Sequence, residues 1–339
     1  MIDARMRYGD ARIEFEFVRA TEAAAIAAAR MVGLGDKNGV DQAAVDAMRQ
    51  VLGDVDVAGT VVIGEGEKDE APMLYIGETL GTGDGPAVDI AVDPIDGTTL
   101  ASRGGAGAIS VVAAARRGTL FTTRIPYMDK IVVGPPGTGR ISIDRPLREN
   151  IRALAAEMHR PVSEITVALL DRPRNDHLVR EVRAVGARIR LFTDGDVATA
   201  IIAVLSERTR IDMLAGIGGA PEGVVTACAV KALGGDMQGR LWLRDANDAA
   251  IAAAEDIDPA RTLLLDDLCS ADDALLAATG VTDGELLAGV RFADGAAFTQ
   301  SIVISTLTRT LRTMDCRHVL TPRLSSLPSL DGSAAEKHA

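Results

Sequence analysis

Hydrophobic spacing divides the chain into helical and strand-like segments. Residues 18–32 (VRATEAAAIAAARMV) carry alanine and larger aliphatic side chains at helical spacing. Residues 41–52 (DQAAVDAMRQVL) place Val45, Met48 and Leu52 on one stripe behind Asp41, a natural N-cap. The loop GLGDKNGV lies between these two predicted helices. Then come short β-branched runs that predict strands: TVVIG (60–64), AVDIAVD (87–93), AISVVAAAR (108–116) and KIVVG (130–134). After a helix around 147–159 the patterns alternate: strand ITVALL (165–170), helix 176–185, strand RIRLF (188–192), helix 196–206, strand RIDMLAG (210–216), helix 222–233. Such alternation predicts an α/β layered sheet.

Proline and glycine punctuate the chain most densely at GPPGTG (134–139), the expected seam between a first unit, 1–145, and a second, 146–323. Residues 324–339 are rich in small and polar side chains, and a disordered tail is expected there. No repeat or long linker separates the units, so they are expected to dock closely.

Composition adjusts this picture in three ways. The chain of 339 residues is 47% hydrophobic but only 3% aromatic, so aliphatic layers must do the packing. Its formal charge of −12 would repel a nucleic-acid backbone, which argues against a nucleic-acid partner. The three cysteines (Cys228, Cys269, Cys316) have no paired spacing, fit a reducing cytosol, and read as packing residues rather than disulfides or zinc-thiolate ligands. With neither a signal-peptide core nor an uncharged run of membrane-helix length, a cytoplasmic location and no membrane partner are expected.

The chemistry gathers where predicted strands end. Asp93 and Asp96 sit three apart in AVDPIDGTTL, separated by Pro94 and followed by Gly97 and Thr98. The strand at 60–64 runs into EGEKDE, with Glu65, Glu67, Asp69 and Glu70. Singly these features have ordinary explanations: Asp41 as a cap, the acidic run as a solvated face, Asp93 and Asp96 as an Asx-turn. Glu65 and Asp93, however, both directly follow predicted strands, and open α/β sheets bind ligands beyond the carboxyl ends of strands. Carboxylates without histidine or cysteine suit Mg²⁺ or Mn²⁺ rather than zinc. Two further stretches suit a phosphate: GIGGAPEGVV (216–225), a glycine-rich turn opening a helix that carries Glu222, and DRPRND (171–176), with Arg172 and Arg174.

In seven of its segments (35–49, 62–78, 88–99, 126–135, 171–174, 193–201, 216–225) the chain resembles the class II, GlpX-type fructose-1,6-bisphosphatases. ATGVTDGELLAGV (278–290) matches as well, and the similarity runs in unbroken order from about residue 12 to about 320. The family belongs to the lithium-sensitive phosphatase superfamily, in which Asp-Pro-Ile-Asp-Gly-Thr recurs at the metal site. The resemblance implies a sugar-phosphatase fold of alternating α-β-α-β-α layers with two docked subdomains. It also implies metal-dependent hydrolysis of the 1-phosphate of fructose 1,6-bisphosphate, a step of gluconeogenesis, by a homodimer or homotetramer. Sedoheptulose-1,7-bisphosphatase or dual-specificity activity is the alternative, and an inactive sugar-phosphate-binding regulator the more distant one.

Residue by residue, the resemblance implies Asp41 and Glu65 as ligands of one metal and Asp93, Asp96 and Glu222 as ligands of a second, Asp96 standing where several members carry Glu. Asp96, Gly97 and Thr98 match the cradle of the scissile phosphate. Tyr127, Arg172, Pro173, Arg174, Asp194, Gly195, Asp196 and Gly219 match the pocket for the sugar and its distal phosphate. Thr98 is expected to orient the attacking water, its hydroxyl held by a carboxylate from Asp41 or from the Glu67–Asp69 region, and Lys37 to add positive charge near the phosphate. Asp194 and Asp196 are expected to bond sugar hydroxyls, or to cap the helix near 196. No site is assigned within 240–275.

Overall fold

The structure, a computed structural model, describes residues 11–66, 73–206 and 209–320. Helices α1 (Ala11–Ala29) and α2 (Lys37–Leu52) come first. Ahead of its predicted start, α1 continues the apolar stripe back through Phe17 to Ile13, and both side chains pack on the same core. Helix α2 also begins a turn early, because Asp36 caps it by accepting from the Gly39 N–H at 2.9 Å. Asp41 is therefore not the N-cap but lies one turn inside the helix.

Strands β1 (Ala58–Ile63), β2 (Thr79–Leu80), β3 (Ala87–Asp96) and β4 (Ile109–Arg116) follow, with the short helix α3 (Thr98–Ser102) between the last two. The chain then moves to a second sheet built from β5 (Tyr127–Val133), β6 (Thr166–Leu170), β7 (Arg188–Phe192), β8 (Met213–Gly219), β9 (Asp236–Leu241) and β10 (Leu263–Leu264). Helices α4 (Leu147–Glu157), α5 (Asp176–Val185), α6 (Asp196–Val204), α7 (Ala220–Leu233), α8 (Ala246–Ala254) and α9 (Leu265–Leu268) connect them. Finally β11 (Leu275–Gly280), β12 (Arg291–Ala293), β13 (Ala296–Ser305) and β14 (Thr310–Val319) return to the first sheet.

Both sheets are mixed. The first runs β12-β13-β11-β4-β3-β1-β2, and the second β10-β9-β5-β8-β6-β7. Strands β11 and β12 share one edge of β13, and β14 pairs along the other for its whole ten residues. The sheets do not divide at 145/146: β5 already belongs to the second, and residues 275–319 close the first. Strand pairing is non-local and leaves no punctuation signal in the sequence.

Period-two alternation explains the layers. On β4, Val112 and Ala114 face the core shared with α1 and α2, whereas Val111, Ala113 and Ala115 face the core that holds α6 and α7. That second core also takes Met128 and Val132 of β5, so α6 and α7 lie between the sheets. Helices α4 and α5 cover the outer face of the second sheet through Ile151, Leu154 and Val182. The result is the expected α-β-α-β-α layering. Among the described residues no helix is long and apolar enough to cross a membrane.

Strand β3 does not stop at Asp93, as its pattern predicts, but continues to Asp96 with a bulge. Asp93 pairs with Val111 and Asp96 with Ile109, so one extra residue is accommodated between them. Pro94 has no N–H to give the ladder, which is why the irregularity falls there.

Candidate active site

The carboxyl ends of β1 and β3 meet the starts of α2, α3 and α7 around a cavity of about 340 Å³. Helix α2 contributes Lys37, Asn38 and Asp41; Glu65 follows β1; Asp93, Asp96, Gly97 and Thr98 come from the β3 bulge and the turn after it. Asp194, just before α6, and Glu222, in the first turn of α7, complete the wall. Among the described residues, six carboxylates thus share this cavity with one lysine.

Their protonation shows the strain of that arrangement. Burial, then the charge of Asp41, pushes Glu65 up to about 8. Burial raises Asp41 too, partly offset by its hydrogen bond with Glu65 and by Lys37. Asp93 is raised well above the carboxylate range by burial and then by Asp96, Glu222, Glu65 and Asp41. Burial also raises Glu222, against the pull of Lys130. A hard divalent cation would supply the missing positive charge, and an all-oxygen donor set is what Mg²⁺ or Mn²⁺ accepts.

Asp96 has a second job. Its Oδ1 accepts the N–H of Asp196, and its Oδ2 the N–H groups of Val197 and Ala198, each at 3.1 Å. It therefore caps α6 from another strand, in place of Gly195, which stands at the cap position in the left-handed region and offers no side chain. Burial nonetheless pushes Asp96 up to about 8, with the Ala198 N–H pulling the other way and Asp196 adding to the rise. The same junction brings Asp194 to Thr99, whose backbone N–H donates to Asp194 Oδ2 at 3.1 Å. Gly97 turns the chain here with φ 98°, and a Cβ on it would stand 3.2 Å from the Ala108 Cα.

Thr98 is half-buried at the cavity and donates its hydroxyl proton to the Ile95 carbonyl at 3.0 Å. Asp41 is thus not its acceptor, and Glu67 and Asp69 lie outside the described residues. The Asp196 carboxylate forms an ion pair with Lys130, 2% exposed, whose Nζ also donates to the Gly219 carbonyl at 2.9 Å. Sequence reasoning missed Lys130. Its signal was a lysine placed in the otherwise apolar run KIVV, where only a buried partner makes it tolerable.

The predicted distal-phosphate residues assemble beside this centre. Tyr127 pairs across the sheet with Gly219, three residues before Glu222. The Arg174 guanidinium lies 4.6 Å from the Tyr127 ring centroid, and its Nε donates to the Ile217 carbonyl at 3.1 Å. Arg172 donates to the carbonyls of Asp171 and Thr193 at 2.9 and 2.8 Å, its guanidinium engaged next to Asp194. Pro173 opens a 3-10 turn that ends at Asn175, a fully buried side chain bonded to Leu170 and to both backbone groups of Ile217. Arg244, at 5.4 Å from the Tyr127 ring, and Trp242, edge-on at 5.9 Å, belong to this cluster and were not foreseen.

Residues 11–318 match the family described as bacterial fructose-1,6-bisphosphatase, glpX-encoded. The chain belongs to this family. It is 43% identical over 321 residues to the class 2 fructose-1,6-bisphosphatase 1 of Escherichia coli strain K12, covering 91% of this chain and 95% of that one. The class 2 fructose-1,6-bisphosphatase of Shigella flexneri matches with the same identity and the same shares. Among solved structures, an extragenic suppressor from Pyrococcus furiosus aligns over 57% of this chain and 68% of its own at 15% identity, with a TM-score of 0.27, too low to bear on the fold. The match to the glpX family spans every described residue of the acidic cavity and of the Tyr127–Arg174 cluster.

Proposed function

We propose that the chain hydrolyses the 1-phosphate of fructose 1,6-bisphosphate, giving fructose 6-phosphate and phosphate, with Mg²⁺ or Mn²⁺ held by Asp41, Glu65, Asp93, Asp96 and Glu222. The observation that carries the reading is the convergence of these carboxylates, half-buried or buried, from the ends of β1 and β3 and the starts of α2 and α7, with Gly97 and Thr98 at the same cavity. When bound, a divalent ion supplies charge neutralisation at the phosphoryl oxygens and lowers the pKa of water. Everything else falls to the chain.

Thr98 orients the nucleophile. Its one proton goes to the Ile95 carbonyl, which leaves oxygen lone pairs to accept a hydrogen bond from the attacking water. The water oxygen bonds to phosphorus as the bond from phosphorus to the C1 oxygen breaks; the proton released by the water passes to a carboxylate, for which Glu67 and Asp69 are the assigned candidates, and the departing C1 oxygen takes a proton from solvent to leave as a hydroxyl. Lys37 balances charge at the cavity mouth. Arg174 and Tyr127 hold the distal phosphate, with Arg172, Asp194 and Gly195 along the sugar, so that binding energy far from the reaction fixes the reacting end. Asp96 is shared between the metal and the α6 cap, so its carboxylate sets the distance between the two halves of the pocket.

The proposal carries with it a cytoplasmic homodimer or homotetramer, which sedimentation would check. The substrate assignment is tested by kcat/KM for fructose 1,6-bisphosphate, sedoheptulose 1,7-bisphosphate and inositol 1-phosphate with metal present. A clear preference for the first supports it. Preference for inositol 1-phosphate overturns it, and equal turnover of the two sugar bisphosphates replaces it with dual specificity.

A further inference from the structure

Outside the acidic cavity, the edge strand β14 carries Cys316 and His318 two residues apart, hence on one face, and that face meets α1 through Arg312 to Glu14 and His318 to Glu22. Glu22 of α1 points into the same place. One potential ligand atom from each of Glu22, Cys316 and His318 lies within 4.8 Å of the others. Thr299, directly opposite Cys316 on β13, places its hydroxyl 2.9 Å from His318 Nε2 and 3.3 Å from Glu22 Oε1, so the ring and the carboxylate are already oriented. Glu22 is 5% exposed, and its ion-pair partner among the described residues is His318 at 3.7 Å, which is charged only when protonated. A buried carboxylate without a permanent cation is a costly arrangement.

We propose that Glu22, Cys316 and His318 form a second metal site, selective for a borderline-soft divalent ion such as Zn²⁺ and separate from the oxygen-only cavity. Sulfur and imidazole nitrogen beside one carboxylate oxygen is a donor set that suits Zn²⁺ and does not suit Mg²⁺. Three protein ligands leave a fourth position for water, and Cys316 and His318 are half-buried, which gives the ion a path in. Binding exchanges the thiol proton for the metal: the S–H bond breaks, the proton leaves to solvent, and the thiolate bonds to the ion. The bound ion would tie the edge strand to α1, which packs along α2, the helix that carries Lys37 and Asp41.

The test is metal binding by the full-length protein with Mg²⁺ in large excess, so that the acidic cavity is already filled. Equilibrium dialysis should find one tightly held equivalent of Zn²⁺, and Co²⁺ in its place should show a thiolate-to-cobalt charge-transfer band. Cys316→Ser should abolish the band, and both Cys316→Ser and His318→Ala should weaken the Zn²⁺ equivalent by at least about tenfold. Thermal melting with and without Zn²⁺ gives a second readout, the wild type rising and the variants not. The proposal is overturned if no equivalent binds in excess Mg²⁺. It is equally overturned if the equivalent persists in both variants, which would assign the ion to the acidic cavity or to the buried thiols of Cys228 and Cys269, 3.8 Å apart.

Discussion

Removing divalent metal should make the folded protein sensitive to alkali in a way that metal abolishes. Glu65 is held near 8 in the metal-free fold, against 4.5 for a free side chain. A carboxyl raised in this way favours folding fully below pH 4.5, and that contribution is lost as pH climbs through about 8, because the folded state keeps a proton the unfolded chain has already released. Between about pH 6 and pH 8 each retained proton costs roughly 2 kcal/mol of stability. Asp93 and Glu222 are shifted in the same direction, so the loss in a chelator is at least of this order. Saturating Mg²⁺ expels these protons and flattens the slope, and at a hundredfold excess over its Kd it adds about 3 kcal/mol. Urea unfolding midpoints across this pH range, in EDTA and in MgCl₂, measure both effects, and the difference between the two series removes every titration outside the cavity. Glu65→Gln supplies the control: at about pH 8 in EDTA it should be more stable than wild type by several kcal/mol, up to about 4, since the amide mimics the protonated acid across the whole span from 4.5 to about 8. Parallel curves with and without metal, or a Glu65→Gln protein no more stable than wild type at that pH, would refute the reasoning.

Thr98→Ala should lower kcat by about two orders of magnitude or more with KM little changed, because the hydroxyl acts on the water and not on ground-state binding; steady-state kinetics would show the split, and a pure KM effect would remove Thr98 from the role. Lys130→Met strips the buried Asp196 of its cation and should cost about 3–5 kcal/mol in urea unfolding, whereas an exposed pair would cost under about 1. Gly97→Ala must hold a side chain at φ 98° and press on Ala108, so a loss of about 1–3 kcal/mol is expected together with reduced turnover. Arg174→Ala should raise KM for the bisphosphate several-fold while leaving kcat within about a factor of three, since the guanidinium is assigned to the distal phosphate.

Much of this molecule was legible in one dimension, for identifiable reasons. The α/β character could be read because strand and helix runs alternate along 165–233, and α5 ends on Gly186 in the left-handed conformation. The acidic cavity could be read because its members sit at strand ends and first helical turns, positions that local patterns mark. What could not be read depends on contacts between distant segments. Asp36 rather than Asp41 caps α2 because the stripe of α2 does not register its own first turn. Asp96 reaches across a hundred residues to cap α6, and nothing in DPID announces that. The sequence offered Asp196 to a sugar hydroxyl or to the helix near 196, and its tie to Lys130 is a matter of facing side chains on β5 and α6. Cys316 read as a packing residue for the same reason: Glu22 and His318 become its neighbours only when β14 lies along α1.

The carboxylates at the ends of β1 and β3 are assigned to act through a divalent metal on a sugar bisphosphate. Phosphate release from fructose 1,6-bisphosphate, followed in exhaustively chelated enzyme and again after Mg²⁺ or Mn²⁺ is returned, tests this assignment most directly. No turnover is expected in chelator, with restoration by either ion; full turnover in excess EDTA would rule out the metal.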